Sequence, residues 1–237
     1  MEESKFPIVT NQAFLETYKL KKIGLVSSRN LKLPLYGNVN LAKIAAYITF
    51  DGHLSLAKNM FYFSAGKRSE LKEFKSFIKD ELDVEGRIQR VQTSLGKTYK
   101  CIAFNKPICR VLYLMGVSPG AKVNTSFDVP KWIFNNREFS RSYLQVAFDC
   151  EGSIWREGSN RRKIRFRINK STDLIENGIK FLNTLKTMLM EFDIHTTKIW
   201  TCKSNIRKDG KITRVLAFNI LARDIPIFKK EIIKRIY

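Results

Sequence analysis

The sequence predicts an α+β fold built from two copies of one pattern: helix, hairpin, helix, hairpin, helix, or αββαββα. Two observations predict it. An apolar run that ends in an acidic residue followed by Gly occurs twice, at 41–52 and 142–152, and the two acids stand one hundred residues apart. After each run, the alternating pattern of strands and the three-and-four spacing of helices follow in the same order. We therefore expect each half to form one antiparallel sheet covered by helices.

The composition is that of a globular protein with an unusual charge. Of the 237 residues, 44% are apolar and 27% are charged, which argues against disorder. The chain carries 43 Lys and Arg against 22 Asp and Glu, a net charge of +21. Nucleic acid is the commonest polyanion that such a surface meets.

The sequence contains no apolar run of membrane-spanning length and no signal-peptide pattern. We therefore expect a protein that is not secreted, has no membrane partner and lies in the cytoplasm or an organellar matrix. The four Cys are scattered, with no CxxC pair, and the two His, His53 and His195, stand far apart. Zinc, disulfides and nuclease chemistry built on a His cluster are all disfavoured.

Residues 1–35 form an N-terminal extension, in which 11–20 have the pattern of a short helix. The sequence leaves open whether this extension caps the fold or contacts nucleic acid. The first run is apolar on all sides and predicts a helix buried nearly all round. Gly52 and Gly152 are predicted to end the two helices, because Gly readily takes the positive φ of a helix C-terminus.

The rest of the first copy, 36–134 with its connector, is predicted from periodicity and turn signals. Its elements are strands 52–58 and 60–65 around Lys58-Asn59, a helix capped by Ser69, strands 85–93 and 98–104 around Leu95-Gly96, an apolar segment 108–115 and the connector 116–134.

The second copy, 135–237, repeats this order. Its elements are strands 153–157 and 163–169, a helix capped by Ser171, and strands 196–203 and 214–220 around Asp209-Gly210. The tripeptide Ala-Phe-Asn occurs at 103–105 and at 217–219. We interpret these two occurrences as matching strand ends.

The acids at the ends of the two runs are the unusual feature. Asp51 and Glu151 stand at the negative end of a helix dipole, where a carboxylate is disfavoured by up to about 1 kcal/mol unless a cation is present. A single run of this kind is usually a core helix with an incidental acid near its end. Two copies at matching positions favour a shared chemical role, and two such ends side by side would make a divalent-metal site.

The two runs resemble the signature of the LAGLIDADG homing endonucleases, in the single-chain, two-repeat form. On that nine-letter motif, the first copy is Ile44-Ala-Ala-Tyr-Ile-Thr-Phe-Asp51-Gly52 and the second is Leu144-Gln-Val-Ala-Phe-Asp-Cys-Glu151-Gly152. The last two positions match in both copies, and the resemblance covers roughly residues 36–237. The departures are Phe50 and Cys150, where the family favours a small residue, and Val146, where it usually has Gly. The residues predicted to line the helix contact are Ala45, Ala46, Val146 and Ala147.

The resemblance implies two repeats related by a pseudo-twofold axis, whose antiparallel sheets form a DNA-binding saddle. It implies a monomer that binds double-stranded DNA with a long, asymmetric site and cuts one phosphodiester per strand. Asp51 and Glu151 would be the ligands of Mg²⁺, and the cut would promote homing of an intron. Lys67 and Lys170 are the predicted basic catalytic residues, because each stands four residues before the first core Leu of its helix. The alternative is that both lysines only bind phosphates.

The segment 163–169 is the most informative strand. Side chains of a strand alternate between faces, so its basic and amide side chains share one face and its apolar ones the other. Arg and Asn pair with guanine and adenine edges in the major groove; the alternative is a solvated sheet surface. The predicted DNA-binding residues are Arg161, Arg162, Lys163, Arg165, Arg167, Asn169, Lys203 and Arg207, with Arg87, Gln89 and Lys100, joined by Arg90 and Gln92, in the first half.

We expect a site-specific endonuclease of the intron-encoded type. The chain starts with Met1 and has no Cys or Ser splice junction at its ends, so we expect a free-standing enzyme rather than an intein. Two alternatives are an RNA-binding maturase, for which intron RNA is the partner, and a catalytically silent DNA-binding protein. Retention of both acids argues against complete loss of catalysis.

Overall fold

A computed structural model describes residues 4, 6–18, 31–93, 96–157, 161–207 and 210–233. The chain divides into two compact units, residues 1–120 and 121–237. The division falls earlier than the predicted boundary at 134, so the end of the connector groups with the second unit. The N-terminal residues that are described group with the first.

The first unit contains one four-stranded antiparallel sheet and a two-stranded ribbon. The sheet has the order β3-β4-β6-β5, and β1 pairs with β2. The elements are β1 (Pro7–Val9), α1 (Asn11–Tyr18), β2 (Leu35–Tyr36), α2 (Val39–Phe50), β3 (Gly52–Ser55), β4 (Met60–Ala65), α3 (Glu70–Leu82), β5 (Arg87–Thr93), β6 (Gly96–Phe104) and α4 (Lys106–Leu114).

The second unit repeats this architecture, with a sheet of order β7-β8-β10-β9. The elements are α5 (Lys131–Phe134), α6 (Arg137–Glu151), β7 (Gly152–Glu157), β8 (Arg161–Ser171), α7 (Ile175–Met190), β9 (Trp200–Ile206), β10 (Ile212–Asn219) and α8 (Ile225–Glu231). Short 3-10 turns occur at Lys122–Asn124, Thr172–Leu174 and Ala222–Asp224. Both the α+β class and the αββαββα order are confirmed. The turn residues Leu95 and Asp209 lie outside the described residues.

The strand register provides a way to match positions in the two units. The motif glycine pairs with a buried Phe in each sheet, Gly52 with Phe63 and Gly152 with Phe166. Counting from these pairs, Lys67 and Lys170 each stand four residues after the matched Phe. The two lysines therefore occupy equivalent chain positions, as predicted.

The two motif helices differ in how far they are buried. In α2 every residue from Leu41 to Ile48 is buried, which confirms the prediction of a helix buried nearly all round. In α6, Asp149 is exposed while the opposite face is buried. The four predicted helix-packing residues are 2% exposed or less, and their contact with one another stays a prediction.

The reason predicted for the motif glycines is wrong. Gly152 has φ −81°, and among the described residues the glycines with positive φ do not include Gly52. A Cβ on Gly52 would lie 2.5 Å from the Tyr62 carbonyl oxygen, and one on Gly152 would lie 2.4 Å from that of Phe148. Glycine is therefore needed at both sites because the backbone passes too close for a side chain.

One predicted cap and one predicted repeat are wrong. Ser69 takes the predicted N-cap position of α3, although its side chain makes no capping bond, whereas Ser171 ends β8 and precedes a 3-10 turn instead of α7. The two Ala-Phe-Asn tripeptides are not equivalent, because Phe104 is 69% exposed and Phe218 is fully buried. Side-chain caps in the described residues include Thr10 for α1, Asn38 for α2, Asn105 for α4 and Asn136 for α6.

Candidate functional site

The two motif acids lie at the C-terminal ends of matching helices. Asp51 follows the last residue of α2 and is exposed. Glu151 is the last residue of α6, and its side chain is 16% exposed. The two acids occupy corresponding positions in the chain, but their surroundings differ.

Glu151 forms an ion pair with the Lys122 ammonium group, which donates a hydrogen bond to Oε1. A cation at this place offsets the repulsion between a carboxylate and the negative end of a helix dipole. Sequence reasoning had anticipated the need for a cation but did not single out Lys122. The one hint in the sequence was that Lys122 belongs to the connector, in the stretch Pro119-Gly-Ala-Lys-Val.

Lys170 is fully buried in the second unit. Its Nζ donates to the carbonyl oxygens of Lys122, at 2.9 Å, and Thr125, at 2.6 Å, and lies 3.9 Å from the Phe127 ring centroid. Burial, followed by the positive charge of Lys122, lowers the Lys170 pKa to about 8. Lys67, at the equivalent position, is exposed in the segment between β4 and α3.

Lys170 thus holds a stretch of the connector, which we call the anchored segment (residues 122–127). Ser171 Oγ donates to the Val123 carbonyl oxygen at 3.1 Å, and Asn177 bonds both backbone groups of Phe127. Gly178 leaves the space for the Lys170 stem, since a Cβ there would lie 2.8 Å from Lys170 Cγ. The segment that carries Lys122 to Glu151 is therefore tied to β8 and α7.

Each motif acid, taken by itself, is of the type that could hold Mg²⁺ together with a substrate phosphate. No group of three or more His, Cys, Asp or Glu side chains converges in the described part of the chain, so a cage made of protein ligands is absent there. Mg²⁺ usually keeps several waters and binds through one or two carboxylates together with substrate phosphates. An exposed Asp51 and a partly exposed Glu151 match that requirement.

The outer face of the second sheet carries the predicted cationic strand. On β8, Ile164, Phe166 and Ile168 are buried, and Arg167 and Asn169 on the other face are exposed. Lys163 and Arg165 share that outer face and are partly buried. The predicted alternation along β8 is confirmed.

Several other predicted residues are placed differently. Arg162 pairs with Arg156 and shares the face of Ile164, so it does not lie on the outer face. Arg207 is exposed beyond the end of β9. The side chains of Arg161 and Lys203 lie outside the described residues. Their proposed roles stay predictions.

The outer face of the first sheet is more aromatic. Arg87 pairs with Ile102 and Gln89 with Lys100, so these residues share this face, whereas Arg90 pairs with Tyr99 on the other one. Lys100 Nζ lies 4.2 Å from the Tyr62 ring centroid. His53 stacks on Tyr62 at 5.5 Å between centroids, and its pKa is lowered chiefly by burial.

Sequence reasoning missed two tryptophans on the second sheet. Trp155 lies on β7 and Trp200 begins β9, and the Arg165 guanidinium approaches both rings, at 4.6 Å and 5.8 Å. The alternation of side chains along β7 was the one signal in the sequence, since it places Trp155 on the same face as Ser153, two residues earlier. Trp200 is brought to this face only by strand pairing with Ala217.

None of the helices in the described ranges is both long enough and apolar enough to cross a membrane. No family model matches the chain. Its curated relatives are distant. The chain is 26% identical over 239 residues to the tRNA-splicing ligase RtcB of Methanocaldococcus jannaschii, covering 91% of this chain and 24% of that protein. The chain is also 26% identical over 213 residues to RtcB of Pyrococcus abyssi, covering 83% of this chain and 23% of that protein.

A third relative is the replication factor C small subunit of M. jannaschii, 26% identical over 168 residues, with 65% of this chain and 9% of that protein covered. The chain thus spans less than a quarter of the length of each of these three relatives.

Solved structures define the fold. The homing endonuclease I-WcaI, bound to its DNA recognition sequence, is similar with a TM-score of 0.53 and 12% identity, over 82% of this chain and 80% of that one. Full-length WhiA of Thermotoga maritima has a TM-score of 0.52 and 15% identity, over 87% of this chain and 59% of that one. The N-terminal LAGLIDADG domain of WhiA has a TM-score of 0.50 and 15% identity, over 84% and 85%. The fold is that of LAGLIDADG proteins.

Proposed function

We propose that this protein is a site-specific double-strand DNA endonuclease of the intron-homing type. The observation that carries the proposal is the matched placement of Asp51 and Glu151. Each acid ends a motif helix and directly precedes a glycine in the same strand register. The C-terminal end of a helix disfavours a carboxylate. Two acids at matching C-terminal ends therefore favour a role in binding a cation.

Double-stranded DNA is the proposed partner. The charge of +21 provides the long-range attraction, and the exposed Arg167 and Asn169 provide side chains suited to base edges. I-WcaI, with a similar fold, is bound to its DNA recognition sequence. We expect each unit to contact one half of a long, asymmetric site, and the protein to act as a monomer.

In the proposed reaction, the oxygen of a water forms a bond to phosphorus while the bond to the 3′-oxygen breaks, once in each strand. The water loses a proton to solvent, and the 3′-oxygen leaves with the electron pair and takes up a proton, which gives a 5′-phosphate and a 3′-hydroxyl. Each unit would provide one carboxylate for Mg²⁺, Asp51 in the first and Glu151 in the second. When bound, the metal supplies Lewis acidity that activates water and stabilises the leaving 3′-oxygen.

Lys122 is the basic group best placed to act beside Glu151. It already balances the charge of that carboxylate, and a phosphate that approaches Glu151 would meet the same ammonium group. The anchored segment fixes its position before the substrate binds, which is how preorganised charge lowers a barrier. Lys170 would support this role through the backbone carbonyls it binds, since its own ammonium is buried.

The test starts by selecting preferred duplexes from a randomised pool in the presence of a chelator. The selected duplex is then placed in a plasmid and incubated with Mg²⁺ and wild type, Asp51→Asn or Glu151→Gln. Asp149→Asn is the matched control, because Asp149 lies two residues before Glu151 on the exposed side of α6. We expect one double-strand cut by wild type and the control, and retained binding with at least about 100-fold slower cutting by the two variants.

The alternatives predict different outcomes. A DNA-binding protein without cleavage would select a duplex and leave it uncut with Mg²⁺ or Mn²⁺. A maturase would bind intron RNA more tightly than any selected duplex. An uncut duplex would overturn the endonuclease, and tighter RNA binding without any cut would move the function to the precursor RNA.

A further inference from the structure

Three apolar side chains lie together on the outer face of the first sheet, and we call them the apolar patch (Met60, Ile102 and Phe104). Met60 on β4 pairs with Phe104 at the end of β6, and Ile102 lies on the same face, two residues before Phe104. The alternate residues Phe61 and Ala103 are buried on the other face. Phe104 is 69% exposed, and the other two members are partly exposed. Exposed apolar side chains that adjoin one another indicate a surface that a partner covers.

The cations around the apolar patch favour a polyanion as this partner. Lys58 lies in the turn between β3 and β4, Lys106 begins α4, and both are exposed. Arg87, also exposed, lies directly opposite Ile102 on the neighbouring strand. An apolar protein surface offers nothing to these charges. A DNA duplex offers its phosphates to the cations and its base edges to the apolar patch.

We propose that the apolar patch recognises the C5 methyl group of thymine from the major groove, an inference that rests on the proposed binding of DNA. Thymine is the one base of DNA that presents an apolar group in this groove, and Phe is among the side chains that contact it. The edges of the other three bases are polar there. The apolar patch would remove those edges from water without replacing their hydrogen bonds, so it rejects these bases as well as attracting thymine.

The position of Phe104 suits a contact with a base. It is the most exposed member of the apolar patch, and β6 is an interior strand, flanked by β4 and β5. A sheet laid in the major groove directs the side chains of its central strands toward the base edges. Beside Phe104, Ile102 pairs with Tyr62, whose ring stacks on His53 and lies 4.2 Å from Lys100 Nζ. These contacts restrain the surface around the apolar patch, so less entropy is lost when it covers a methyl group.

The second sheet lacks an equivalent patch. Counted from the pairs of the motif glycines, Lys163 takes the place of Met60, Asn219 that of Ile102 and Leu221 that of Phe104. A cationic and an amide side chain thus replace two of the three apolar ones. We therefore expect the thymine requirement in only one half of the recognition site.

The experiment measures binding and does not depend on cleavage. Wild type selects a duplex from a randomised pool in the presence of a chelator, and each thymine of that duplex is then replaced in turn by uracil. Uracil lacks the C5 methyl group and keeps the same hydrogen-bonding groups. At one or two neighbouring positions in one half-site, wild type should bind the uracil duplex about 4-fold more weakly, the factor for one methyl group withdrawn from water.

Variants assign this discrimination to the apolar patch. Phe104→Ser should bind the thymine and uracil duplexes equally, whereas Phe104→Leu keeps an apolar side chain and should retain a preference for thymine. Tyr113→Ser is the matched control, because Tyr113 is another exposed aromatic residue of the first unit and lies on α4, not on the sheet. It should discriminate as wild type does. Wild type and variants form a double-mutant cycle between side chain and methyl group.

The outcomes separate this inference from the proposed function. Equal binding of every uracil duplex by wild type, or discrimination that Phe104→Ser retains, would overturn the thymine assignment and leave the endonuclease standing. Equal binding together with a dimer that forms at high protein concentration and is lost in Phe104→Ser would assign the apolar patch to a second copy of this chain. Selection of no duplex by wild type would overturn both proposals.

Discussion

The two sheets have the same register and different outer faces. At matching positions, the first sheet presents His53, Tyr62 and Ile102, and the second presents Ser153, Arg165 and Asn219. The first row is filled by a stacked aromatic pair, whereas the second retains polar atoms without partners. The comparison teaches that a repeated backbone does not require a repeated recognition surface.

The two motif acids extend the comparison to the candidate catalytic residues. Glu151 is paired with Lys122, which the anchored segment and Lys170 hold in place. Asp51 is exposed, and Lys67, the positional equivalent of Lys170, is exposed as well. The second unit therefore holds a positive charge in a fixed place beside its motif acid.

The largest expected difference concerns the two lysines. Lys122→Met should slow cleavage of the selected duplex by about 100-fold, because it removes a fixed positive charge beside the proposed centre. Lys67→Met should lower affinity a few-fold and slow cleavage much less, since an exposed lysine mainly screens phosphate charge. The measurement is single-turnover cleavage at saturating enzyme, with Lys131→Met, another exposed lysine of the second unit, as control. Equal losses for Lys122 and Lys67 would remove the distinction between the two units.

The motif glycines should behave alike in both units. Gly52→Ala and Gly152→Ala should each lower the free energy of unfolding by about 1–3 kcal/mol, because the added Cβ meets backbone atoms at 2.5 Å and 2.4 Å. Gly66→Ala is the matched control, since nothing lies within 4 Å of its Cβ position. Denaturant unfolding of the three variants and of wild type measures these changes in free energy. A neutral effect of either motif substitution would disprove the close-approach explanation.

Gly178→Ala tests the anchor of the second unit. The added Cβ would lie 2.4 Å from Leu216 Cδ1 and 2.8 Å from Lys170 Cγ, and the resulting strain should exceed the roughly 1 kcal/mol gained from alanine in a helix. In a Lys170→Ala background the cost should become smaller, because one of the two clashing groups is gone. A double-mutant cycle of unfolding free energies measures this coupling. Additive effects would show that Gly178 does not serve the Lys170 stem.

A further expected effect is a pH dependence of stability that arises in the second unit. The Lys170 pKa is about 8 in the folded protein against 10.5 ordinarily, so between these values the unfolded chain binds more protons. Stability of wild type relative to Lys170→Met should therefore rise from about pH 8 to pH 10.5. After it loses its proton, the Lys170 amine still has two N–H donors, so it can keep its hydrogen bonds to the carbonyl oxygens of Lys122 and Thr125. Unfolding of both proteins across this pH range measures the difference, and a fall or a flat line would contradict it.

Local patterns were sufficient for much of the fold. The αββαββα order, the alternation along β8 and the positions of both motif acids follow from periodicity and from one repeated run. Ser171 was incorrectly predicted as the cap of α7, and Ser69 takes the cap position of α3 without a capping bond, because a serine before a helical pattern does not reveal where its hydroxyl bonds. The Ala-Phe-Asn repeat was incorrectly interpreted because identical letters do not fix strand register.

The sequence by itself determined the two repeats, the α+β class and the acids that end both motif helices, since these depend on residues that are close along the chain. Tertiary structure alone decided that Lys122 reaches Glu151, that Lys170 is buried under the anchored segment and that Trp155 and Trp200 restrain Arg165. Each of those contacts joins segments at least ten residues apart, and strand register and helix packing bring their side chains together. Periodicity within one segment carries no information about such distances.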